Sequence, residues 1–193
     1  MDTKLLMQLR EKTGAPITAC QQVLASTQGD LEKAAEILKQ KGLEVVQKKT
    51  GRETSQGIID AYIHQNARVG ALIQVHCETD FVARSPEFKE FVHDLAMQVT
   101  ASSPLYLATE DIPAEIIEKQ RRIILDEVAG SGKPPQIIEQ MAKGKLEKWQ
   151  KEVCLLNQPF IKDEEVTIQG LLQEKIAKFG ENIKIKQFIR FSF

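Results

Sequence analysis

The chain has 193 residues, of which 42% are hydrophobic and 27% charged, a composition that suits a soluble protein of one medium domain or a small domain joined to a larger one. Lys plus Arg number 26 against 27 Asp plus Glu, which argues against a protein whose main task is gripping a phosphate backbone, since that task calls for a basic excess. No run approaches the roughly 20 apolar residues of a membrane span, and the start, MDTKLLMQLREK, lacks the pattern of a signal peptide. Neither nucleic acid nor a membrane is an expected partner, and the expected location is the cytoplasm.

The N-terminal region reads as three short helices. Asp2 is placed to cap the first, Leu5, Leu6 and Leu9 form its apolar stripe, and Gly14 stops it. Pro16 opens the second, with Cys20, Val23 and Leu24 at helical spacing and Gly29 at its end. Asp30 caps the third, where Leu31, Ala34, Ala35 and Leu38 repeat at helical spacing and Gly42 is expected to close the helix. Three helices this short bury a small core, which suits docking better than chemistry. The polar run Gln47–Gln56, QKKTGRETSQ, reads as a linker with a helical start.

Beyond it the pattern changes to alternation. Residues 57–64 and 70–77 predict two strands, the second placing Ala71, Ile73, Val75 and Cys77 on one face and Gln74 and His76 on the other. The Gln65–Val69 connection suits a hairpin. A long helix follows, capped by Ser85, opened by Pro86 and ended by Ser102–Pro104; Phe88, Phe91, Val92, Leu95, Ala96 and Val99 form its stripe. Two more helices are expected over 113–129 and 135–156, split by GSGKPP, and a short one over 167–179. The final run, IKIKQFIRFSF, predicts a third strand with Ile183, Ile185, Ile189, Phe191 and Phe193 all facing inward. No strand–helix–strand repeat demands a parallel sheet. The expected fold is α+β: a small N-terminal three-helix domain over residues 1–50, then, over 51–193, a core of antiparallel strands covered by helices.

Catalytic constellations are hard to assemble from these residues. GSGK at 130–133 lacks the full phosphate-loop spacing and runs into Pro134-Pro135, so it reads as a helix-breaking loop. Cys20, Cys77 and Cys154 are far apart, and His64, His76 and His93 do not bracket them at zinc-ligand spacing. Cys154 as a thiol nucleophile is the enzymatic alternative, but it sits in the apolar run VCLL, where packing is the default. Asp163 and Glu165 read as an exposed turn. No metal or cofactor is expected.

The best site is Glu78–Arg84, ETDFVAR, where a strand ends and a helix begins. Two readings compete. In one, Thr79 or Asp80 steadies the turn and Phe81 tucks under the following helix. In the other, a rigid turn presents an acid beside a large aromatic, a common form for an interface anchor.

ETDFVARSPEF at 78–88, LREKTGAPITACQQVL at 9–24, KGLEVVQKKTGRETSQG at 41–57 and VCLLNQPFIKD at 153–163 together resemble, in order and in register, the motifs of the elongation factor Ts family. The resemblance implies a non-enzymatic guanine-nucleotide exchange factor for the GTPase elongation factor Tu, acting on its GDP-bound and nucleotide-free forms. It further implies that the N-terminal helices are similar to a ubiquitin-associated domain and dock on the GTPase, that Asp80 and Phe81 insert between two of its helices, and that Thr79, Asp80, Phe81 and Val82 form the element that dislodges Mg²⁺. The chain looks like the family's short form, in which two subunits pair as a homodimer. It departs from the N-terminal signature at Pro16 and Ala19, where the family usually has glycine and aspartate. A ubiquitin-like-binding adaptor would share the first three helices but leave ETDFVAR and QPFIKD unexplained.

Overall fold

The computed structural model describes residues 3–130 and 132–193; Asp2, the expected first cap, and Ser131 of the GSGKPP breaker lie outside them. Helices α1 (Thr3–Thr13), α2 (Ile17–Ser26) and α3 (Leu31–Lys49) precede strands β1 (Gln56–Ile63) and β2 (Val69–Cys77). Then come α4 (Asp80–Arg84), α5 (Pro86–Ser102), α6 (Ala114–Ala129), α7 (Pro135–Val153), β3 (Pro159–Phe160), β4 (Asp163–Thr167), α8 (Ile168–Phe179) and β5 (Lys184–Ser192). Three-residue 3₁₀ turns stand at Thr109–Asp111 and Leu155–Asn157. The fold is α+β, a three-helix segment followed by antiparallel strands and helices. The chain separates into two compact units, Met1–Asp60 with Ile73–His93 and Gly170–Lys186, and Ala61–Leu72 with Asp94–Gln169 and Gln187–Phe193.

In the first unit, α1 to α3 bury Leu6, Leu9, Cys20, Val23, Leu24, Ala34 and Leu38 against one another. The stops and caps follow local chemistry. Gly14 takes a left-handed φ of +62° and donates to Arg10 O at 2.8 Å, and the Asp30 carboxylate accepts the N–H groups of Glu32 and Lys33, each at 3.1 Å. Gly42, however, does not close the third helix, which runs on to Lys49 through the start of the expected linker. Tertiary packing overrides the glycine's weak propensity there, since a Cβ on Gly42 would lie 3.5 Å from the Ala177 Cβ of α8.

Strands β1, β2 and β5 form one sheet in that order. His64 N donates to Val69 O at 2.9 Å across the first hairpin. Phe193 lies beside Arg68 at the start of β2, with N···O 3.1 Å, while Asn182 lies beside Glu78 at its end, so β5 runs antiparallel to β2. Ala71, Ile73, Val75 and Cys77 are buried as the alternation requires. On β5, Ile183 and Ile185 are buried but Ile189, Phe191 and Phe193 are exposed, which corrects the expectation that all five face inward. The cause is a break in the alternation at Lys186 and Gln187, two successive exposed residues. Beyond it the better covered positions are Phe188 and Arg190, one residue out of step with Ile183 and Ile185. Arg190 turns to the covered side, where its Nε donates to Thr100 O of α5 at 3.1 Å.

Helix α5 begins as its sequence dictates, with Ser85 Oγ accepting Phe88 N–H at 3.2 Å, and all six residues of its stripe are buried. In the second unit, α6 and α7 pair through Ile124, Val128 and Ala142. The helix expected to reach residue 156 ends at Val153, because Cys154 turns extended and bridges to Tyr106. A short hairpin, β3 and β4, was not anticipated, and it takes Asp163 and Glu165 out of the expected turn and into a strand. Gln98 anchors this hairpin from within the core, its Nε2 donating to Pro159 O at 3.1 Å and its Oε1 accepting Ile161 N–H at 2.9 Å.

Candidate functional site

The segment after β2 is built from polar groups that satisfy one another. At its start the Cys77 thiol is buried and donates to Thr79 O at 3.2 Å. Burial, with the Glu181 carboxylate adding to it, pushes that thiol's pKa up to about 11, so it is not a nucleophile. Thr79 is the N-cap of α4, its Oγ1 accepting Val82 N–H at 3.4 Å. The chain leaves the helix at Ser85, whose Oγ donates to Val82 O at 2.8 Å.

Two residues that the sequence did not single out hold this junction. Glu181 Oε2 accepts the N–H groups of Glu78 and Thr79 at 3.1 and 3.0 Å, and its Oε1 accepts the Thr79 hydroxyl at 2.6 Å. In return, Glu78 Oε1 accepts Asn182 N–H at 2.6 Å, while Arg52 pairs with Glu78 Oε2 at 3.3 Å. The Asn182 amide donates to Thr50 O and Arg52 O at 3.2 and 2.8 Å, so the same knot ties down the segment after α3. Asn182 N–H first and Arg52 second, against a partial offset from burial, hold the Glu78 carboxyl below the usual glutamate range. No local signal marked Glu181 and Asn182, because they stand about a hundred residues from their partners.

On this clamped turn the four residues expected at the site stand consecutively. Thr79 and Val82 are half-buried. Asp80 reaches Arg84 one turn on at 3.1 Å, a pair exposed on both sides and therefore worth little. Phe81 is 85% exposed. The reading in which it tucks under α5 is thus excluded, and what remains is an aromatic ring presented to solvent beside a carboxylate.

Elsewhere, Cys154 is buried and its pKa is raised, mainly by that burial, which is the opposite of an activated nucleophile. Among the described residues no group of three or more His, Cys, Asp and Glu is arranged to hold a metal ion, and no helix is long and apolar enough to cross a membrane.

Comparison with known proteins bears directly on this segment. The model of the family described as elongation factor TS matches residues 11–193, a span that includes the whole clamped turn. The chain belongs to the elongation factor Ts family. It is 50% identical over 189 residues to an elongation factor Ts of Carboxydothermus hydrogenoformans, covering 98% of this chain and 87% of the relative. It is also 50% identical over 188 residues to that of Thermodesulfovibrio yellowstonii, covering 97% and 94%, and 47% identical over 188 residues to that of Acetivibrio thermocellus, covering 97% and 87%. The family assigns the chain to translation elongation in protein biosynthesis.

Proposed function

We propose that this chain is a guanine-nucleotide exchange factor for elongation factor Tu, acting in the cytoplasm without covalent chemistry. The observation that carries the reading is Phe81, an aromatic residue 85% exposed on a five-residue helix whose entry is fixed by a closed set of hydrogen bonds. A large ring left in solvent and held on a rigid mount has the form of an interface anchor. Thr79, Asp80, Phe81 and Val82 enter the GTPase as one wedge and displace an element that holds Mg²⁺.

The physics of the nucleotide site makes a wedge sufficient. Mg²⁺ demands near-octahedral geometry and bridges nucleotide phosphates to protein ligands. A small shift of one ligand-bearing element therefore weakens GDP out of proportion to the displacement. Linkage supplies the rest: if the factor binds the empty GTPase more tightly than the loaded one, bound factor weakens the nucleotide by the same ratio. GDP leaves and GTP takes its place.

Residues 1–50 serve as the docking domain and 51–193 as the part that carries the wedge. In support, α1 to α3 bury an apolar core of their own. The protein acts as a homodimer. Ile63, Ile189, Phe191 and Phe193 are exposed by 70, 49, 63 and 99%, apolar area of the kind that marks an association surface. Release of fluorescent GDP from purified elongation factor Tu, with and without this protein, tests the reading; an unchanged release rate at saturating protein overturns it.

A further inference from the structure

Helix α4 has only five residues, too few to hold its own direction in water. Its one internal ion pair, Asp80 with Arg84, is largely solvated and adds little. The direction in which α4 presents Phe81 must therefore be imposed from outside the helix: Ala83 is buried on its covered side, Ser85 ties off Val82 at its end, and at its N-cap, Thr79, the group that sets the entry is the Glu181 carboxylate. We propose that Glu181 is the positioning residue of the exchange segment, fixing how Thr79 enters α4 and so where Asp80 and Phe81 point. This rests on the exchange reading above and names the residue on which that reading depends.

Three donors of the turn from β2 into α4, the N–H groups of Glu78 and Thr79 and the Thr79 hydroxyl, all go to Glu181, at 2.6 to 3.1 Å. A hydroxyl has one proton. Because Thr79 spends that proton on Glu181, its oxygen faces Val82 N–H as an acceptor, at 3.4 Å, and caps the helix. The carboxylate thus sets the rotor of the cap as well as the backbone entering it.

Glu181 is itself held. Gly180 ends α8 with φ +67° and its N–H on Ile176 O at 2.9 Å, and the next residue, Asn182, is buried and returns a bond to Glu78 at 2.6 Å. The ring closes on both strand ends, with Phe81 outside it and free to enter a partner.

The test uses the full chain with Glu181→Ala and Glu181→Gln, each alone and combined with Phe81→Ala. Thermal melts are paired with the rate of fluorescent GDP release from elongation factor Tu at saturating protein. Loss of charge-assisted bonds at the mount should slow release by roughly tenfold in Glu181→Ala. Glu181→Gln, whose amide oxygen still accepts the two backbone N–H groups, should lose less, a rescue by shape. The decisive readout is coupling. In the Phe81→Ala background each Glu181 variant should slow release by much less than it does alone, only Asp80 then remaining to be misplaced, although each lowers the melting temperature as much as it does alone.

A folded Glu181→Ala protein that releases GDP at the wild-type rate overturns the proposal, as does an equal slowing in both backgrounds. If Glu181→Ala does not fold, the same comparison is read from Glu181→Gln. Failure of the wild type to accelerate release sinks the exchange reading and this one with it. A fast wild type and a slow Phe81→Ala, with both Glu181 variants unaltered, sinks the positioning role alone.

Discussion

Phe81 and Ala83 stand two residues apart on α4, yet Phe81 is 85% exposed and Ala83 only 5%. Successive helical residues turn by about 100°, so two steps carry a side chain to nearly the opposite side. The two positions should therefore respond in opposite ways. Ala83→Leu should overpack the covered side and cost about 1–3 kcal/mol, whereas Phe81→Ala should change stability by no more than about 0.5 kcal/mol. Urea unfolding of both variants checks this, and equal destabilisation would contradict the assigned faces.

Two glycines make a second pair of opposites. A Cβ on Gly42 would meet Ala177 Cβ at an ordinary 3.5 Å, in the middle of a helix. Gly42→Ala should accordingly stabilise the protein by about 0.5–1 kcal/mol through helix propensity and chain entropy. On Gly57, with φ +149°, a Cβ would fall 2.2 Å from Val75 O, and backbone must move to admit it. Gly57→Ala should lower the melting temperature clearly. A loss at Gly42, or none at Gly57, would show that these approaches are not as described.

Much of this architecture is legible in the sequence. The stripe Phe88 to Val99 is buried as its spacing predicts, because a long apolar face has one way to leave water. The caps at Asp30 and Ser85 are local and were equally readable. Gly42 was misread because a glycine after a periodic run signals a stop, whereas here α3 runs on past it, at a point where a Cβ would reach Ala177 of α8. The face of Ile189, Phe191 and Phe193 was misread because the break was in the letters themselves, two polar residues at Lys186 and Gln187 followed by two apolar ones at Phe188 and Ile189, and the burial alternation breaks at the same place. At the site, ETDFVAR was visible as a rigid turn. Exposure of Phe81 could not be deduced from composition, and Glu181 was invisible because its role exists only across the fold.

Acid should weaken the knot at Glu78 in a defined sense. Asn182 N–H holds the Glu78 carboxyl below the usual glutamate range, so its folded pKa lies below its unfolded one. Such a group contributes stability that is fully present above the unfolded pKa and is lost as pH falls through the folded value. The stability gap between wild type and Glu78→Gln should therefore be greatest at neutral pH and shrink below the ordinary glutamate range. Urea midpoints of the two proteins across that range check it; a gap that does not change with pH would remove the depressed pKa.

The exposed end of β5 should mediate self-association. Phe191 is 63% exposed and Phe193 99%, and the Arg68 guanidinium lies 6.0 Å from the Phe193 ring. Sedimentation at micromolar concentration should give a dimer for the wild type, and Phe191→Asp should shift it toward monomer without lowering the helix content. A wild type that sediments as a monomer while retaining exchange activity would contradict the paired form.

The rate of fluorescent GDP release from elongation factor Tu at saturating protein tests the wedge most directly. The wild type should accelerate release. Phe81→Ala, melting as the wild type does, should be slower by roughly thirtyfold, the effect of truncating an anchor worth about 2 kcal/mol. Asp80→Ala should act in the same direction, and the double variant should fall short of the sum because both side chains enter one site. A Phe81→Ala protein that melts far below the wild type yet releases GDP normally per folded molecule would contradict the account, and would return Phe81 to the protein's own core.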